Sequence, residues 1–304
     1  MHPAYSIIFF TTASGLGYGL AAVLGLGFLD PSSMWVRFAH IVALGLISAG
    51  LLSSTLHLGN PQRAWRALTQ WRSSWLSREG VLSLATFVPL CISAWFALFE
   101  GRHLPLVGLL GAIGCVVTVY CTSMIYASLR AVQAWNTQLT PACYLLYAGA
   151  SGSLLGAFFA AGAGQSAVVL TGLSLVLFTA AWATKLVWRL RLREKQISTP
   201  ESATGLGAIG TVRLFERPHT NENYLTREMG YRVARKHADK LFAIALIAGG
   251  LVPLALLFLS PVLGHTQAAI ALGLAVVLHT FGMLVERWLF FAEARHAVMN
   301  YYGR

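Results

Sequence analysis

Eight runs of mostly apolar residues, each about twenty residues long, take up most of this 304-residue chain and limit the folds open to it. Only 11% of the residues are charged, whereas a soluble domain carries about 25%. An apolar run of this length spans a bilayer as a helix, because a helix satisfies its backbone polar groups within the segment. The sequence therefore predicts an all-α, polytopic membrane protein with eight transmembrane helices.

The edges of the apolar runs set the predicted boundaries of the spans. These spans cover residues 5–29, 38–56, 81–99, 106–129, 142–163, 167–188, 241–260 and 268–290. We interpret residues 1–304 as a single membrane domain, with residues 189–240 as a cytoplasmic loop between helices six and seven. This loop fits either a solvated segment with a short helix or a docking surface for a cytoplasmic partner. Its GLGAIG stretch follows no strand, so the pattern does not predict dinucleotide binding.

Basic residues are distributed unevenly between the two sides of the predicted bundle. With eight spans, both termini and loops two, four and six share one side, which we call side A, and the opposite side is side B. Side A carries 20 of the 22 lysines and arginines, and side B carries only Arg37 and Arg102. Cytoplasmic segments carry the excess of basic residues in membrane proteins, so both termini are predicted to be cytoplasmic. The net charge of +11 thus reports topology, and no nucleic acid partner is predicted.

The polar stretch SSTLHLGNPQRAWRALTQWRSSWLSREG, residues 53–80, interrupts the apolar pattern on side A. His57 closes the second span and Glu79 opens the third, so the intervening loop returns both side chains to one interface. Reduction of a quinone takes up two electrons and two protons, and imidazole and carboxyl groups exchange protons readily. These two residues are therefore our candidate catalytic residues at a quinone. The alternative is an interfacial histidine and a glutamate that caps the third span, where the helix dipole favours a carboxylate.

Arginine and tryptophan side chains fill the rest of this stretch. We take Arg63, Trp65, Arg66 and Arg78 as candidate quinone-binding residues beside His57 and Glu79. The alternative is an interface belt of aromatic and basic residues, to which Arg72, Trp71 and Trp75 would also belong. In that case one or two of the arginines would pair with Glu79, membrane lipid phosphate or a partner protein.

Three other readings of the polar residues compete with a quinone site. A haem needs two axial histidines at the same depth in the membrane. The depths of His40 and His279 in their spans differ by nine residues, or about 14 Å along a helix, so no haem is predicted, and no metal site is predicted either.

A secondary transporter would have inverted repeats and charged residues at the membrane midplane. We find only His279 there, and a histidine in this position is more typical of a hydrogen-bonded intramembrane group. Glu286 and Arg287, at the end of the eighth span, fit either an interface pair or a second wall of the quinone pocket.

The pattern S-x-x-H-L-G-x-P-x-R-A-W-R from Ser54 to Arg66, followed by S-x-x-S-R-E-G from Ser74 to Gly80, resembles the membrane-anchor subunits of the dimethyl sulfoxide reductase type. The eight spans match that family over nearly the whole chain. The opening MHPAYSIIFFTT and the closing VERWLFFAEARH are most similar to a branch that includes the anchor of a cytoplasmic, quinone-dependent sulfite dehydrogenase.

This resemblance implies a haem-free anchor in a bacterial cytoplasmic (inner) membrane that binds ubiquinone or menaquinone. It implies two partners, a four-cluster iron–sulfur subunit and a catalytic subunit with a molybdenum bis-(molybdopterin guanine dinucleotide) cofactor. The family's functional histidine falls on His57 and its functional glutamate on Glu79. The chain's own cysteines show no C-x-x-C pair, so iron–sulfur clusters are expected only in the partner.

The charge distribution separates two directions of electron flow within this family. A dimethyl sulfoxide reductase presents its catalytic subunits to the periplasm and oxidises menaquinol. Here the loop that carries His57 and Glu79 lies on the basic side, which is predicted to be cytoplasmic. We therefore favour electron transfer from sulfite to quinone, and keep the menaquinol-oxidising anchor as the alternative.

Overall fold

The computed structural model describes residues 3–56, 60–192, 198–216 and 233–302, and residues 221, 223, 227 and 229 singly. Within these ranges the chain is helical and contains no β-strand. Eight helical segments are long and apolar enough to cross a membrane. The prediction of an all-α protein with eight transmembrane helices is confirmed.

The first six spans are single helices, and the third continues into a π-helix, Phe96–Glu100. They are α1 Tyr5–Gly25, α2 Met34–Thr55, α3 Trp75–Trp95, α4 Pro105–Ala127, α5 Leu139–Gly162 and α6 Val168–Leu192. A short helix, α7 Pro200–Thr204, lies in the sixth loop. The seventh span consists of α8 Val233–Leu246, a π-helix Ile247–Leu251 and α9 Val252–Leu259, and the eighth is α10 His265–Ala292.

Several helices extend beyond the apolar runs that predicted them, and α3 shows why. It begins at Trp75 rather than at residue 81, because the Ser74 hydroxyl accepts a hydrogen bond of 3.4 Å from the Ser77 backbone N–H. A serine at this position satisfies one of the free N–H groups of the first turn. The polar residues Ser77, Arg78 and Glu79 are therefore helical, although hydropathy assigned them to the loop.

The centre of the bundle is formed by α1 and α5, the two most buried spans. They cross where Gly19 of α1 meets Gly152 of α5, and a Cβ atom at either glycine would overlap the backbone of the other helix. Small residues allow this close approach of helix backbones in membranes. The crossing fixes α1 beside α5, and both helices contribute side chains to the interior of the bundle on side A.

An aromatic cluster joins the side A ends of α4, α5, α6 and α10. The ring of Tyr126 contacts those of Tyr144, Phe290 and Trp135, with centroid distances of 5.4 to 5.9 Å. The indole N–H of Trp135 donates to the Phe290 carbonyl at 2.9 Å, and that of Trp188 donates to the Ala134 carbonyl at 2.9 Å. Four helices and the fourth loop are thereby held together around the polar groups described below.

The π-helix in the seventh span frees a backbone carbonyl for His279 of α10. The Nδ1–H of His279 donates to the Gly249 carbonyl at 2.7 Å, and its Nε2 lies 2.8 Å from the Ser151 hydroxyl. Helices with such π-turns often carry functional groups at that point. Both ring nitrogens are engaged, so His279 is a hydrogen-bonded intramembrane residue, as the sequence predicted.

The structure reduces the extent of the sixth loop, predicted to cover residues 189–240. Helix α6 includes residues up to Leu192, and α8 begins at Val233. Between them, α7 is tied to the C-terminal 3-10 helix Ala297–Tyr302, because the Tyr301 hydroxyl donates to the Ala203 carbonyl at 2.8 Å. Much of the second half of the loop lies outside the described residues, so its role as a docking surface stays a prediction.

Candidate functional site

Glu79 lies more than one turn inside α3, on the face that packs against α4. Its side chain is only 5% exposed, although it stands five residues after the capping Ser74. The interpretation of Glu79 as a helix cap is therefore wrong, because Ser74 has that role. A carboxyl group buried at this depth in a membrane helix is costly and points to a functional role.

The Glu79 carboxyl is hydrogen-bonded to the Thr122 hydroxyl of α4, which also lies 3.1 Å from the Thr118 carbonyl oxygen. A hydroxyl has one proton to donate and can accept others. When Glu79 is ionised, Thr122 can donate to it. When Glu79 is protonated, it can donate to Thr122, while Thr122 donates to Thr118. The site therefore accommodates the carboxyl in both protonation states, which a group that delivers protons requires.

His57, the second candidate catalytic residue, lies outside the described residues. The structure does describe the chain before it: α2 ends at Thr55, and the Ser53 hydroxyl donates to the Ser6 carbonyl at 3.0 Å. This bond joins the end of α2 to the start of α1 on side A. The pairing of His57 with Glu79 at a quinone stays a prediction.

Arg63, Trp65 and Arg66 lie on a 3-10 helix, Pro61–Leu68, that covers the side A end of α3. All three side chains are exposed, and the Arg66 guanidinium lies 5.6 Å from the centre of the Trp65 ring. The structure does not bring them to Glu79. Their exposure suits the alternative interpretation of an interface belt that faces lipid headgroups or a partner.

Arg78 lies on the outward face of α3, away from Glu79. Its guanidinium donates to the carbonyls of Trp71 at 3.0 Å and Arg72 at 2.7 Å, and it stacks on the Trp75 ring at 4.3 Å. An open, mostly apolar cleft of about 550 Å³ lies beside it, lined by Trp71, Arg72, Arg78, Val81 and Leu82. Arg78 thus anchors the end of the loop and forms one wall of this cleft.

Glu286 and Arg287 are buried rather than interfacial, so their interpretation as an interface pair is wrong. Helix α10 continues to Ala292, and the two side chains are 1% and 3% exposed. Glu286 lies 2.5 Å from the Lys185 ammonium and 3.4 Å from the Arg287 guanidinium, which stacks on Tyr144 at 3.9 Å. One carboxylate thus binds two cations inside the bundle.

Sequence reasoning missed Lys185. We counted it among the basic residues of side A, although the predicted sixth span, 167–188, already contained it; α6 continues for seven residues beyond it and leaves it 2% exposed. The apolar residues on both sides of it in ATKLVW were the available signal. A lysine in such a context lies within a span unless its side chain reaches the interface.

A small cavity lies between these groups and Glu79. It has a volume of about 20 Å³, and its walls come from α1, α4, α5 and α10. Its polar lining includes Thr12, Thr122, Tyr144, Ser151 and Arg287. This volume admits about one water molecule and no quinone ring. The cavity therefore connects the Glu79–Thr122 pair with Arg287, but it is too small for the quinone that the sequence analysis predicts.

Comparison with known proteins agrees with the resemblance in the loop sequence. Residues 1–292 match the protein family described as DMSO reductase anchor subunit (DmsC). A subunit of the sulfite dehydrogenase of Allochromatium vinosum is 34% identical to this chain, over 99% of each sequence.

Proposed function

The chain belongs to the family of DMSO reductase anchor subunits, and we propose that it transfers electrons between an iron–sulfur subunit and membrane quinone in a molybdenum oxidoreductase complex. The observation that carries this proposal is Glu79, a carboxyl buried in a membrane span with a partner suited to both of its protonation states. Family membership supports the role of a membrane anchor. The iron–sulfur clusters and the molybdenum cofactor are proposed for the partner subunits, and no haem is proposed for this chain.

The proposed quinone position is on side A, where α2 ends and α3 begins. A quinone, ubiquinone or menaquinone, would there accept two electrons from the partner and two protons. Glu79 would donate one proton toward a ring carbonyl oxygen, and His57 would donate the other. Thr122 holds the Glu79 carboxyl in place while its proton leaves and returns. The arginines and tryptophans of the loop would contact membrane lipid or the iron–sulfur subunit.

We favour the oxidation of sulfite as the reaction that supplies the electrons. Sulfite and water give sulfate, two protons and two electrons, and quinone takes up two protons and two electrons to give quinol. The 34% identical relative is a sulfite dehydrogenase subunit, and the charge distribution favours a cytoplasmic side A. The alternative, suggested by the family description, is the anchor of a DMSO reductase that oxidises menaquinol.

Quinone-coupled turnover of the purified complex tests the proposed function. We expect His57→Ala to lower sulfite-dependent reduction of a quinone analogue by roughly 100-fold, because general acid catalysis by a histidine contributes about that much. Reduction of a soluble dye that takes electrons from the iron–sulfur subunit should stay at the wild-type rate. A His57→Ala complex with wild-type quinone reduction would rule out this role for His57.

The proposed orientation predicts which positions are accessible from outside the cell. In a Cys91→Ser background, because Cys91 is the exposed native cysteine, we expect Arg102→Cys on side B to react with a membrane-impermeant maleimide in intact cells. Thr69→Cys on side A should react only after lysis. Both positions lie in loops at the ends of α3, on opposite sides of the bundle. The opposite labelling pattern would place side A in the periplasm and favour the DMSO reductase alternative.

A further inference from the structure

A line of charged residues leads from the side A surface into the bundle, and the proposed quinone chemistry does not explain it. At its outer end, the Arg189 guanidinium lies 2.8 Å from the carboxylate of Asp239 and 3.4 Å from that of Glu293. The Asp239 side chain is 81% exposed, whereas those of Arg189 and Glu293 are 10% and 11% exposed. This first group therefore joins water on side A to the protein interior.

The second group on this line is the buried Lys185–Glu286–Arg287 cluster. Lys185 lies one helical turn below Arg189 on α6, and Glu286 of α10 lies two turns below Glu293, the residue that follows the end of that helix. The two groups thus follow one another along the seam between the same two helices. Arg287 extends the line to the small cavity, whose walls also include Thr122, the partner of Glu79.

Several buried polar atoms along this line have no hydrogen-bond partner among the described residues. They are Arg189 Nη1, Glu293 Oε2, Glu286 Oε2, Arg287 Nε, and the hydroxyls of Tyr144, Tyr147 and Thr12. Two of the nitrogens have ion-pair contacts of 3.4 Å without forming a hydrogen bond, Arg189 Nη1 with Glu293 and Arg287 Nε with Glu286 Oε2. A buried polar group without a partner is costly, and in proteins such groups are commonly satisfied by internal water. Four of these atoms belong to residues that line the cavity, namely Arg287, Tyr144, Tyr147 and Thr12. The site therefore has both the room and the partners that a bound water molecule needs.

We propose that these groups form the route by which Glu79 recovers its proton from side A, through Glu293, water bound beside the ionised Glu286, and water in the cavity. The inference rests on the proposed function, in which Glu79 gives a proton to the quinone. Each turnover removes one proton from Glu79, and one proton from water on side A replaces it, so charge and atoms balance. Arg287 and Lys185 stay protonated and hold Glu286 and the water in position.

A separate route is proposed because, among the described residues, the direct path from side A to Glu79 is covered. The 3-10 helix Pro61–Leu68 lies over the start of α3, and the Leu68 side chain is close enough to Gly80 to meet a Cβ placed there, at 2.8 Å. The partner subunit is proposed to sit on this same surface.

Glu293 stands at the entrance of the proposed route. Burial raises the pKa of its carboxyl group by more than the nearby charges of Arg189 and Lys185 lower it, so the pKa lies above its ordinary value. A carboxyl of this kind takes up a proton more readily than an exposed glutamate does.

Gly15 offers a test that leaves every charged residue in place. It lines the cavity from α1, and a Cβ added to it meets no atom within 4 Å. Alanine or valine at this position would take up the space available to water, while alanine also favours the helix. Gly45 of α2 is a matched control, because its added Cβ also meets nothing within 4 Å and it does not line the cavity.

In the intact complex we expect Gly15→Ala and Gly15→Val to slow steady-state quinone-coupled turnover, by roughly tenfold for the valine, since proton transfer then limits the rate. The first quinone reduced after rapid mixing should form at the wild-type rate, because Glu79 begins protonated. The solvent deuterium isotope effect on later turnovers should rise, a change that altered packing alone would not produce. The Gly45 variants should match wild type in all three measurements.

Two results separate this inference from the function on which it rests. If Glu79→Gln lowers quinone-coupled turnover while both Gly15 variants match the Gly45 controls, the route is overturned and the function stands. If Glu79→Gln itself matches wild type, the proposed role of Glu79 fails and the route fails with it. Slowed later turnovers in the Gly15 variants, with a normal first turnover, support the route.

Discussion

Replacing Glu79 with glutamine should lower quinone-coupled turnover of the assembled complex by about 10² to 10³-fold, the range expected for loss of a positioned proton donor. Glutamine has nearly the same shape and can keep a hydrogen bond to Thr122, so the packing of α3 against α4 should be retained. What the amide loses is the ability to release and regain a proton. The stability of the variant should match that of wild type, because a neutral amide replaces a carboxyl group that is itself neutral in the proposed resting state.

Two assays on the same preparation check this expectation. Reduction of a quinone analogue with sulfite as electron donor should fall, while reduction of a soluble dye through the iron–sulfur subunit should not. Glu100→Gln is a matched control, since Glu100 ends the same span on side B and its side chain is 41% exposed. Wild-type quinone reduction by the Glu79→Gln complex would contradict the assignment.

The Thr122→Val variant tests how much the positioning of the Glu79 carboxyl group contributes, apart from its ability to carry a proton. Valine removes the hydroxyl that binds Glu79 and leaves a carboxyl that can still carry a proton. We expect quinone-coupled turnover to fall by roughly tenfold, which is less than the fall in Glu79→Gln, because general acid–base catalysis depends on geometry as well as on the titrating group. Equal effects of the two variants would mean that a Glu79 carboxyl without this hydrogen bond works no better than an amide, and would contradict the expected partial loss.

The fold could be predicted from the sequence because its determinants are local. A bilayer selects apolar runs of a fixed length, and all eight runs became helical spans. The ends of the helices were less predictable. From hydropathy we predicted that the sixth span ends before Arg189 and that the third begins after Glu79. In the structure both residues are helical, because Ser74 caps the start of α3 and Arg189 forms an ion pair with Asp239.

The candidate site was predictable only in part, for a related reason. Glu79 stood out because it is an isolated carboxylate in a basic loop, and the family resemblance pointed to the same residue. Its partner Thr122 is 43 residues away and on another helix, so no sequence spacing connects the two. Lys185 and Glu286 are likewise brought together only by the packing of α6 and α10. The loop from His57 to Glu79 remains the proposed quinone site, with proposed proton supply from inside the bundle.

The Lys185–Glu286–Arg287 cluster predicts an unequal response to the removal of its members. Glu286→Gln would leave two buried cations without their shared anion and should destabilise the protein by about 3–5 kcal/mol, the cost of breaking a buried ion pair. Lys185→Met would leave Glu286 paired with Arg287 at 3.4 Å. Its cost should be about 1.5 kcal/mol or less, as for a substitution that nearly conserves volume.

Titration of the purified chain with SDS in mixed micelles, followed by tryptophan fluorescence, measures this difference. Trp188 suits the measurement, because its ring lies 3.7 Å from the Lys185 ammonium and it is buried. Arg287→Gln provides a second comparison, since it leaves the Lys185–Glu286 pair intact. Equal destabilisation by all three substitutions would mean that the three side chains contribute through packing rather than through a shared anion.

The double variant Lys185→Met with Glu286→Gln tests whether unpaired buried charge causes the loss of stability expected for Glu286→Gln. It leaves one uncompensated cation, Arg287, where Glu286→Gln leaves two. We therefore expect the double variant to be more stable than Glu286→Gln alone, although it carries one more substitution. This sign of the coupling is specific to a buried carboxylate shared between two cations, because unrelated substitutions would add their costs. The same carboxylate holds Arg287, which lines the cavity, so its ionic bonds would both hold α6 against α10 and keep Arg287 in place beside the proposed proton route.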